Sequence, residues 1–329
     1  MTITPEQIAF RKGKIGASQF GQAVGRGYGK RTRAELYHSI QGTVPQMGDS
    51  MAARVGNFME GFILKEYTLK TGRDAHDFPA TQIHPDEPRI ICHCDGITTD
   101  KTRLIEVKNV GPHMKSAWID GPPQYVWVQA CGQSMLTGIK AVDVVAYFGG
   151  NDLEVYELSF TDIDHSTLFD GLMDFLGYLG SNEPPPNTVL DLPNLDLYYT
   201  CKDTAIAADN DREAQAVLLA SLKKKYKLTA EDKETMELLE FNVKEYMGEN
   251  SVLTSESGTP LFTWKQSKDK VVTDWEAVTN ALYTAIAVAT KGMEGVDDNY
   301  VKHLFDLSVA SNTTTKKGSR TFLCKIKEA

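Results

Sequence analysis

The chain has 329 residues, of which 41% are hydrophobic, and 35 Lys and Arg stand against 44 Asp and Glu, a net charge of −9. This is the composition of an ordinary soluble globular protein, long for one domain, and no apolar run reaches the ~18 residues of a transmembrane helix. The acidic balance speaks against a protein that coats nucleic acid nonspecifically, but leaves room for an enzyme with local basic tracks beside an acidic cleft.

Met1 to Phe10 lacks a basic-then-apolar leader, so a cytosolic protein is expected. Arg11 to Ser18 precedes a short apolar-periodic segment ending near Gly25, with Ser18 placed as its N-cap. A helix N-terminus close to an Arg is an anion site, and a plain capped surface helix fits the same pattern. Gly25-Arg26-Gly27-Tyr28-Gly29-Lys30 lacks the spacing of a phosphate loop and reads as a flexible basic loop. Thr32 to Glu35 forms a capping box for a helix to about Gly42. Asp49 or Ser50 caps a longer helix that Gly72 stops, with Val55, Met59, Phe62, Ile63 and Tyr67 as its apolar stripe. Glu60 falls at the edge of that stripe.

Thr81 to Ile83, Arg89 to Ile97 and Leu104 to Val110 read as a β-meander with a turn near Thr99 to Lys101. Tyr125 to Gly138 is helical, and Gln129 and Gln133, four apart, share a face. Val142 to Gly149 and Leu153 to Phe160 form a hairpin, and Leu168 to Leu179 a helix. The expected fold is therefore α/β: a core of alternating helices and strands over 1–180, a Pro-rich linker over 181–200, and a mainly helical α+β extension over 201–329. In the extension, Ala205 to Tyr226 and Thr229 to Met247 read as a helical hairpin, Leu261 to Trp264 and Arg320 to Ile326 as strands, and Asp274 to Thr290 and Val301 to Leu307 as helices. Basic clusters lie at Arg26 to Arg33, Lys223 to Lys227 and Lys316 to Arg320, each a solvated surface before it is a DNA contact; the extension either uses the last two for subunit contacts or a DNA channel, or simply buttresses the core with its helical hairpin. The five cysteines are scattered, and Cys92-His93-Cys94 has no second pair at zinc-ligand spacing, so these read as strand residues.

The chemistry concentrates in Asp95, then ten residues, then Glu106-Val107-Lys108. Residues alternate faces along a strand, so Glu106 and Lys108 share a side and Val107 points into the core. Asp95 on the neighbouring strand can face the same cleft. Charge on a central strand must be paired or metal-bound. Carboxylate oxygens suit Mg²⁺ or Mn²⁺, and a nearby Lys suits a phosphate, so the set fits metal-assisted phosphodiester cleavage. A buried ion network in a non-enzymatic DNA-binding protein fits the same residues.

Arg11-x-x-x-Ile15-Gly16-Ala17-Ser18, Gly56-x-x-x-Glu60, Asp95-Gly96, Ile105-Glu106-Val107-Lys108 and Gln129-x-x-x-Gln133-x-Met135 follow one another in this order. Together they resemble the lambda-exonuclease-like, YqaJ-type viral recombinase nucleases of the PD-(D/E)XK superfamily. The resemblance implies a central mixed sheet flanked by helices and a metal-dependent 5′→3′ exonuclease on double-stranded DNA. It implies that Asp95, Glu106, Glu60 and the Val107 carbonyl hold two Mg²⁺ (or Mn²⁺) ions. It further implies that Lys108 positions or activates the attacking water and stabilises the phosphorus centre, that Gln129 orients substrate or water, and that Arg11 and Ser18 bind the 5′-phosphate. By the same resemblance the chain forms a trimeric ring on DNA ends, hands the 3′ overhang to a single-strand annealing protein, and works in a bacterial host cytoplasm as a phage or prophage protein, with no membrane. A restriction- or repair-type endonuclease of the same superfamily shares Asp95, Glu106 and Lys108 and stays open. Cys94 stands where the superfamily carries Pro, and His93 where some relatives carry a small hydroxyl residue.

Overall fold

The computed structural model describes residues 13–44, 50–150, 152–289 and 298–326. The chain divides into two compact units, Met1–Tyr198 and Tyr199–Ala329.

In the first unit, strand β1 (Ile15–Gly16) runs into helix α1 (Ala17–Ala23). Gly16, not Ser18, is the N-cap. The side chain of Gln19 reaches back to accept the Gly16 N–H at 3.0 Å, so the helix starts earlier than expected and Ser18 lies exposed in its first turn. Helix α2 (Arg33–Ile40) starts at Thr32, whose hydroxyl accepts the Glu35 N–H at 3.0 Å. Helix α3 (Met51–Thr71) is capped by Ser50 and ends at Gly72, which adopts φ +70°. Both ends stand where the sequence puts them.

Strands β2 (Ala75–Asp77), β3 (Gln82–Ile83), β4 (Ile90–Cys92), β5 (Gly96–Thr98) and β6 (Arg103–Asn109) follow. The expected single strand Arg89 to Ile97 is in fact two, in different sheets. β4 lies between β1 and β3 in a three-stranded sheet, while β5 belongs to a five-stranded sheet ordered β2-β5-β6-β7-β8, where β7 is Ala141–Tyr147 and β8 is Leu153–Ser159. The chain breaks at His93 to Asp95, where Cys94 drops into the core and leaves the first ladder. After a 3₁₀ stretch (Pro112–Trp118) come helix α4 (Gln124–Thr137), strands β7 (Ala141–Tyr147) and β8 (Leu153–Ser159), and helix α5 (Asp162–Ser181). β6 and β7 pair in parallel across α4, and every other neighbour in this sheet is antiparallel.

Alternation along β6 sorts its side chains between two cores. Ile105 and Val107 pack with Val145 against Ile63, Leu64 and Tyr67 of α3. Leu104 faces the larger core of α1, α4 and α5, with Phe20, Val126, Cys131, Leu172 and Phe175. Each such side chain contributes about 1.5–3 kcal/mol on burial. Helices α1 and α4 meet closely at Gly132, where a Cβ would lie 2.3 Å from the Phe20 ring. Asp143 of β7 is fully buried, and Tyr67 Oη (2.6 Å), Arg73 (3.0 Å) and Arg103 Nε (2.9 Å) compensate its charge.

The segment read as an extended linker carries folded elements. A 3₁₀ stretch (Val189–Asn194) leads into helix α6 (Leu195–Tyr198). Buried Asp191 accepts from Thr32 Oγ1 and, at 3.2 Å, from Tyr198 Oη, and Leu195 is buried. A Pro-rich composition predicts extended chain; the Asp191 contacts override it.

The second unit holds β9 (Lys202–Ala207), helices α7 (Asn210–Lys224) and α8 (Ala230–Met247), β10 (Asn250–Thr254), β11 (Pro260–Gln266), β12 (Lys270–Thr273), α9 (Trp275–Ala289), α10 (Asp298–Ser311), β13 (Thr313–Lys316) and β14 (Arg320–Cys324). Its main sheet is ordered β14-β11-β10-β9, and β12 pairs with β13. Ala205 to Ala207, expected as helix, are strand because they pair with Val252 to Thr254 of β10, and α7 starts only at Asp209, which accepts the Arg212 N–H at 2.7 Å. The Lys223 to Lys227 cluster is partly neutralised: Lys223 pairs with Glu240 (2.6 Å) and Lys225 with Asp232 (2.7 Å). Arg320 is buried, donating to the carbonyls of Gly248, Asn250 and Trp264. Among the described residues no helix is long and apolar enough to cross a membrane.

Candidate active site

The site forms where β5 and β6 stop pairing. Their ladder covers Gly96↔Ile105 and Ile97↔Leu104, so β6 runs on past the start of β5. Asp95 stands at that opening, and its Oδ2 accepts the Val107 N–H at 2.7 Å. The N–H and C=O of one strand residue point to the same edge, so the Val107 carbonyl faces the Asp95 side. The loop thus supplies a carboxylate to the free edge of β6, where a side chain makes the next rung.

Glu106 lies on the opposite face of β6 from Val107, 2% exposed. Its Oε1 accepts from Lys108 Nζ (2.6 Å) and Gln129 Nε2 (2.6 Å), and Lys108 Nζ also donates to Gln129 Oε1 at 2.9 Å. Glu106 Oε2 accepts from Gln133 Nε2, which also donates to the His93 carbonyl at 3.1 Å. Both partners of that nitrogen are acceptors, which sets the orientation of the amide. Its Oε1 is left buried without a hydrogen-bond partner among the described residues, a cost of about 1–3 kcal/mol that the structure tolerates here. Gln133 therefore ties the Asp95 loop to the Glu106 strand. In the sequence the pair shows as a shared helix face and as part of Gln129-x-x-x-Gln133-x-Met135, neither of which names its partners.

Glu60 comes from α3, half-buried. Gly96 brings that helix in: a Cβ there would lie 2.8 Å from Leu64 Cδ2 and 3.2 Å from the His76 carbonyl. Leu64 is one turn beyond Glu60. Asp77, opposite Gly96 on β2, belongs to no motif in the sequence, yet its charge helps to raise Glu60.

The electrostatics are those of a carboxylate-rich cleft with one ammonium. Burial pushes the Asp95 carboxyl well above its usual range, and Glu106 adds to this, against the pull of Lys108 and the Val107 N–H. Burial also raises Glu60, helped by Glu106 and Asp77. For Lys108, burial opposes the charge, but Glu106 and Asp95 outweigh it and raise its pKa, so it keeps its proton. Three carboxylates thus face one ammonium, an imbalance that fits a hard divalent cation. Among the described residues no group of three or more His, Cys, Asp or Glu is already gathered as a metal cage. Glu106 and Asp95 are engaged by protein donors instead.

Ser18 is in the exposed first turn of α1, and β1 runs parallel to β4, so that turn and the His93 to Asp95 loop leave the same end of their sheet. Arg11 lies outside the described residues. Cys94 is buried in the larger core beside Cys92, and its thiol is pushed up by the Cys92 contact and by burial. It serves as a core side chain, which accounts for an apolar residue in front of Asp95.

Residues 7–140 match the YqaJ-like viral recombinase domain. An alkaline exonuclease from Laribacter hongkongensis is similar in structure, at 21% identity and TM-score 0.47, over 54% of this chain and 94% of that one. The same enzyme in complex with dAMP gives 22% and 0.46 over the same shares. A phage-related exonuclease from Haemophilus somnus 129PT gives 10% and 0.41, over 51% of this chain and 96% of that one. No curated protein matches the chain.

Proposed function

We propose, for a chain whose residues 7–140 match the YqaJ-like viral recombinase domain, that the protein is a metal-dependent 5′→3′ exonuclease acting on double-stranded DNA ends. The observation that carries this reading is the joining of Asp95, Glu106, Lys108 and Gln129 at the open end of the β5–β6 ladder. Asp95, Glu106, Glu60 and the Val107 carbonyl are the groups to hold Mg²⁺ or Mn²⁺, two ions in all. Bound there, the metal supplies charge for the scissile phosphate and lowers the pKa of its water.

The chain's own residues then have distinct tasks. Lys108, protonated, donates to a phosphate oxygen as charge builds on it; it is a poor base in this setting. Gln129 and Gln133 fix the Glu106 carboxylate so that it does not reorient during the reaction. Water adds to the phosphorus of the second nucleotide, the P–O3′ bond breaks, and the 3′ oxygen leaves with a proton. The product is a 5′-mononucleotide and the remaining strand keeps a 5′-phosphate. Ser18 and Arg11 are the residues proposed to hold that phosphate. A trimeric ring, a single-strand annealing partner and a place in a phage-infected host cytoplasm belong to the same proposal and rest on the family resemblance.

The test compares linear duplex with covalently closed circles in Mg²⁺. Digestion of the linear form alone supports the exonuclease. Cleavage of closed circles makes the protein an endonuclease, and cleavage of neither leaves the ion-network reading.

A further inference from the structure

The Gly25 to Arg31 loop is not used by the chemistry above, yet it is built against the catalytic helix. Gly21 at the end of α1 has no side chain where a Cβ would stand 3.1 Å from both Cα and Cβ of Tyr125, and the Gly21 carbonyl accepts the Arg26 N–H at 2.6 Å. Gly25 and Gly29 take φ +75° and +61°, and the Arg31 N–H closes a turn on the Tyr28 carbonyl at 3.3 Å. Gln22 Nε2 donates to the Thr32 carbonyl at 2.8 Å and closes the base of the loop. The sequence reads as flexible; the contacts make a shaped turn with Tyr28 at its tip.

Tyr28 is 51% exposed and meets the Tyr125 ring edge-on, with centroids 5.0 Å apart and an angle of 64°. Tyr125, Gln129 and Gln133 follow one another at i, i+4 and i+8 along one face of α4. The two glutamines hold Glu106 and Gln129 also holds Lys108, so Tyr125 continues the catalytic row outward, within electrostatic reach of the Lys108 ammonium. Arg26 and Lys30, two residues before and after Tyr28 in the chain, are both exposed. An open aromatic ring flanked by cations beside a phosphate-directed lysine is the chemistry that holds an unstacked nucleotide: the ring takes the base, and the cations take the backbone.

We propose that Tyr28, seated on Tyr125, is a base-stacking subsite for one of the first two nucleotides at the 5′ end of the strand being degraded, with Arg26 and Lys30 on its phosphates. This rests on the nuclease reading of the Asp95–Glu106–Lys108 site and adds the residue that grips the end. Base–aromatic stacking changes binding by roughly fivefold to over a hundredfold per base.

The experiment measures KM and kcat in Mg²⁺ on linear duplexes with a 5′-phosphate. One carries normal bases, and the others carry a tetrahydrofuran abasic residue at the first or the second position. The wild-type enzyme is expected to show KM raised about fivefold or more at one of these positions. Tyr28→Phe should behave as wild type. Tyr28→Ala should have the raised KM on the normal duplex and no further response to the abasic residue. Equal KM for all three duplexes with the wild-type enzyme overturns the subsite, whether or not Tyr28→Ala folds. So does a Tyr28→Ala enzyme that still responds to the abasic residue. Absence of any digestion by the wild-type enzyme overturns the nuclease reading and the subsite with it, an outcome distinct from active digestion without an abasic effect.

Discussion

Gln133 holds Glu106 with the same nitrogen that holds the His93 carbonyl. One fully buried amide thus couples the strand that carries Glu106 to the loop that delivers Asp95. Gln133→Ala leaves both acceptors unpaired, at about 1–3 kcal/mol, and frees the carboxylate to turn. Digestion is expected to fall on the order of 10- to 100-fold, with a lowered denaturation midpoint. A variant with full activity would separate Gln133 from the site.

Lys108→Ala removes the ammonium that sits between Glu106 and Gln129. Mg²⁺-dependent digestion should drop by roughly a hundredfold or more, while the circular dichroism spectrum and binding to DNA ends persist. Digestion at the wild-type rate would mark the charges as a structural network.

Asp95→Asn carries the opposite expectation for stability. The Asp95 charge is disfavoured by burial and by Glu106, and an Asn oxygen still accepts the Val107 N–H. In EDTA the variant should melt higher than wild type while its activity is lost. A lower melting temperature would show that the Asp95 charge is compensated in the metal-free protein.

Gly132→Ala tests the packing that seats α4. Its Cβ would meet the buried Phe20 ring at 2.3 Å, and overpacking of this kind costs about 1–3 kcal/mol. The melting temperature should fall, and activity should fall with it because Gln129 and Gln133 ride on this helix. An unchanged melt would mean that α1 and α4 separate freely.

His38 sets a pH dependence. Burial lowers its pKa, with Asp191 pulling the other way, and it stacks on Tyr198 at 3.9 Å. A folded pKa below the unfolded value of about 6.5 means that the unfolded chain takes the proton first as pH falls. Stability should therefore decline on going from pH 7.5 towards 6 and below, until the folded pKa is passed. His38→Phe should flatten this part of the melting-temperature profile. An identical slope in the variant would remove His38 as its source.

The local features of the site were legible in the sequence. Alternation put Glu106 and Lys108 on one face with Val107 on the other, and α3 starts at Ser50 and stops at Gly72 as its caps direct. What was not legible depended on distant partners. Arg89 to Ile97 has continuous strand character, and only the positions of β1 and β6 divide it between two sheets. Ala205 to Ala207 suits a helix by composition, but β10 pairs with it as β9. Ser18 has the better capping chemistry, yet the Gln19 side chain moves the cap to Gly16. The partners of Gln133 and the placement of Asp77 lie in loops and strands far along the chain, so no spacing rule reveals them.

The most direct measurement of the central claim is digestion of a linear duplex labelled at one 5′ end, with and without a 5′-phosphate, in Mg²⁺ and in EDTA. Early release of the labelled terminal residue in Mg²⁺, as a 5′-mononucleotide from the phosphorylated end and faster there than from the 5′-hydroxyl end, and abolished by EDTA, is the predicted result. Release of internal fragments, digestion that survives EDTA, or none at all would contradict it.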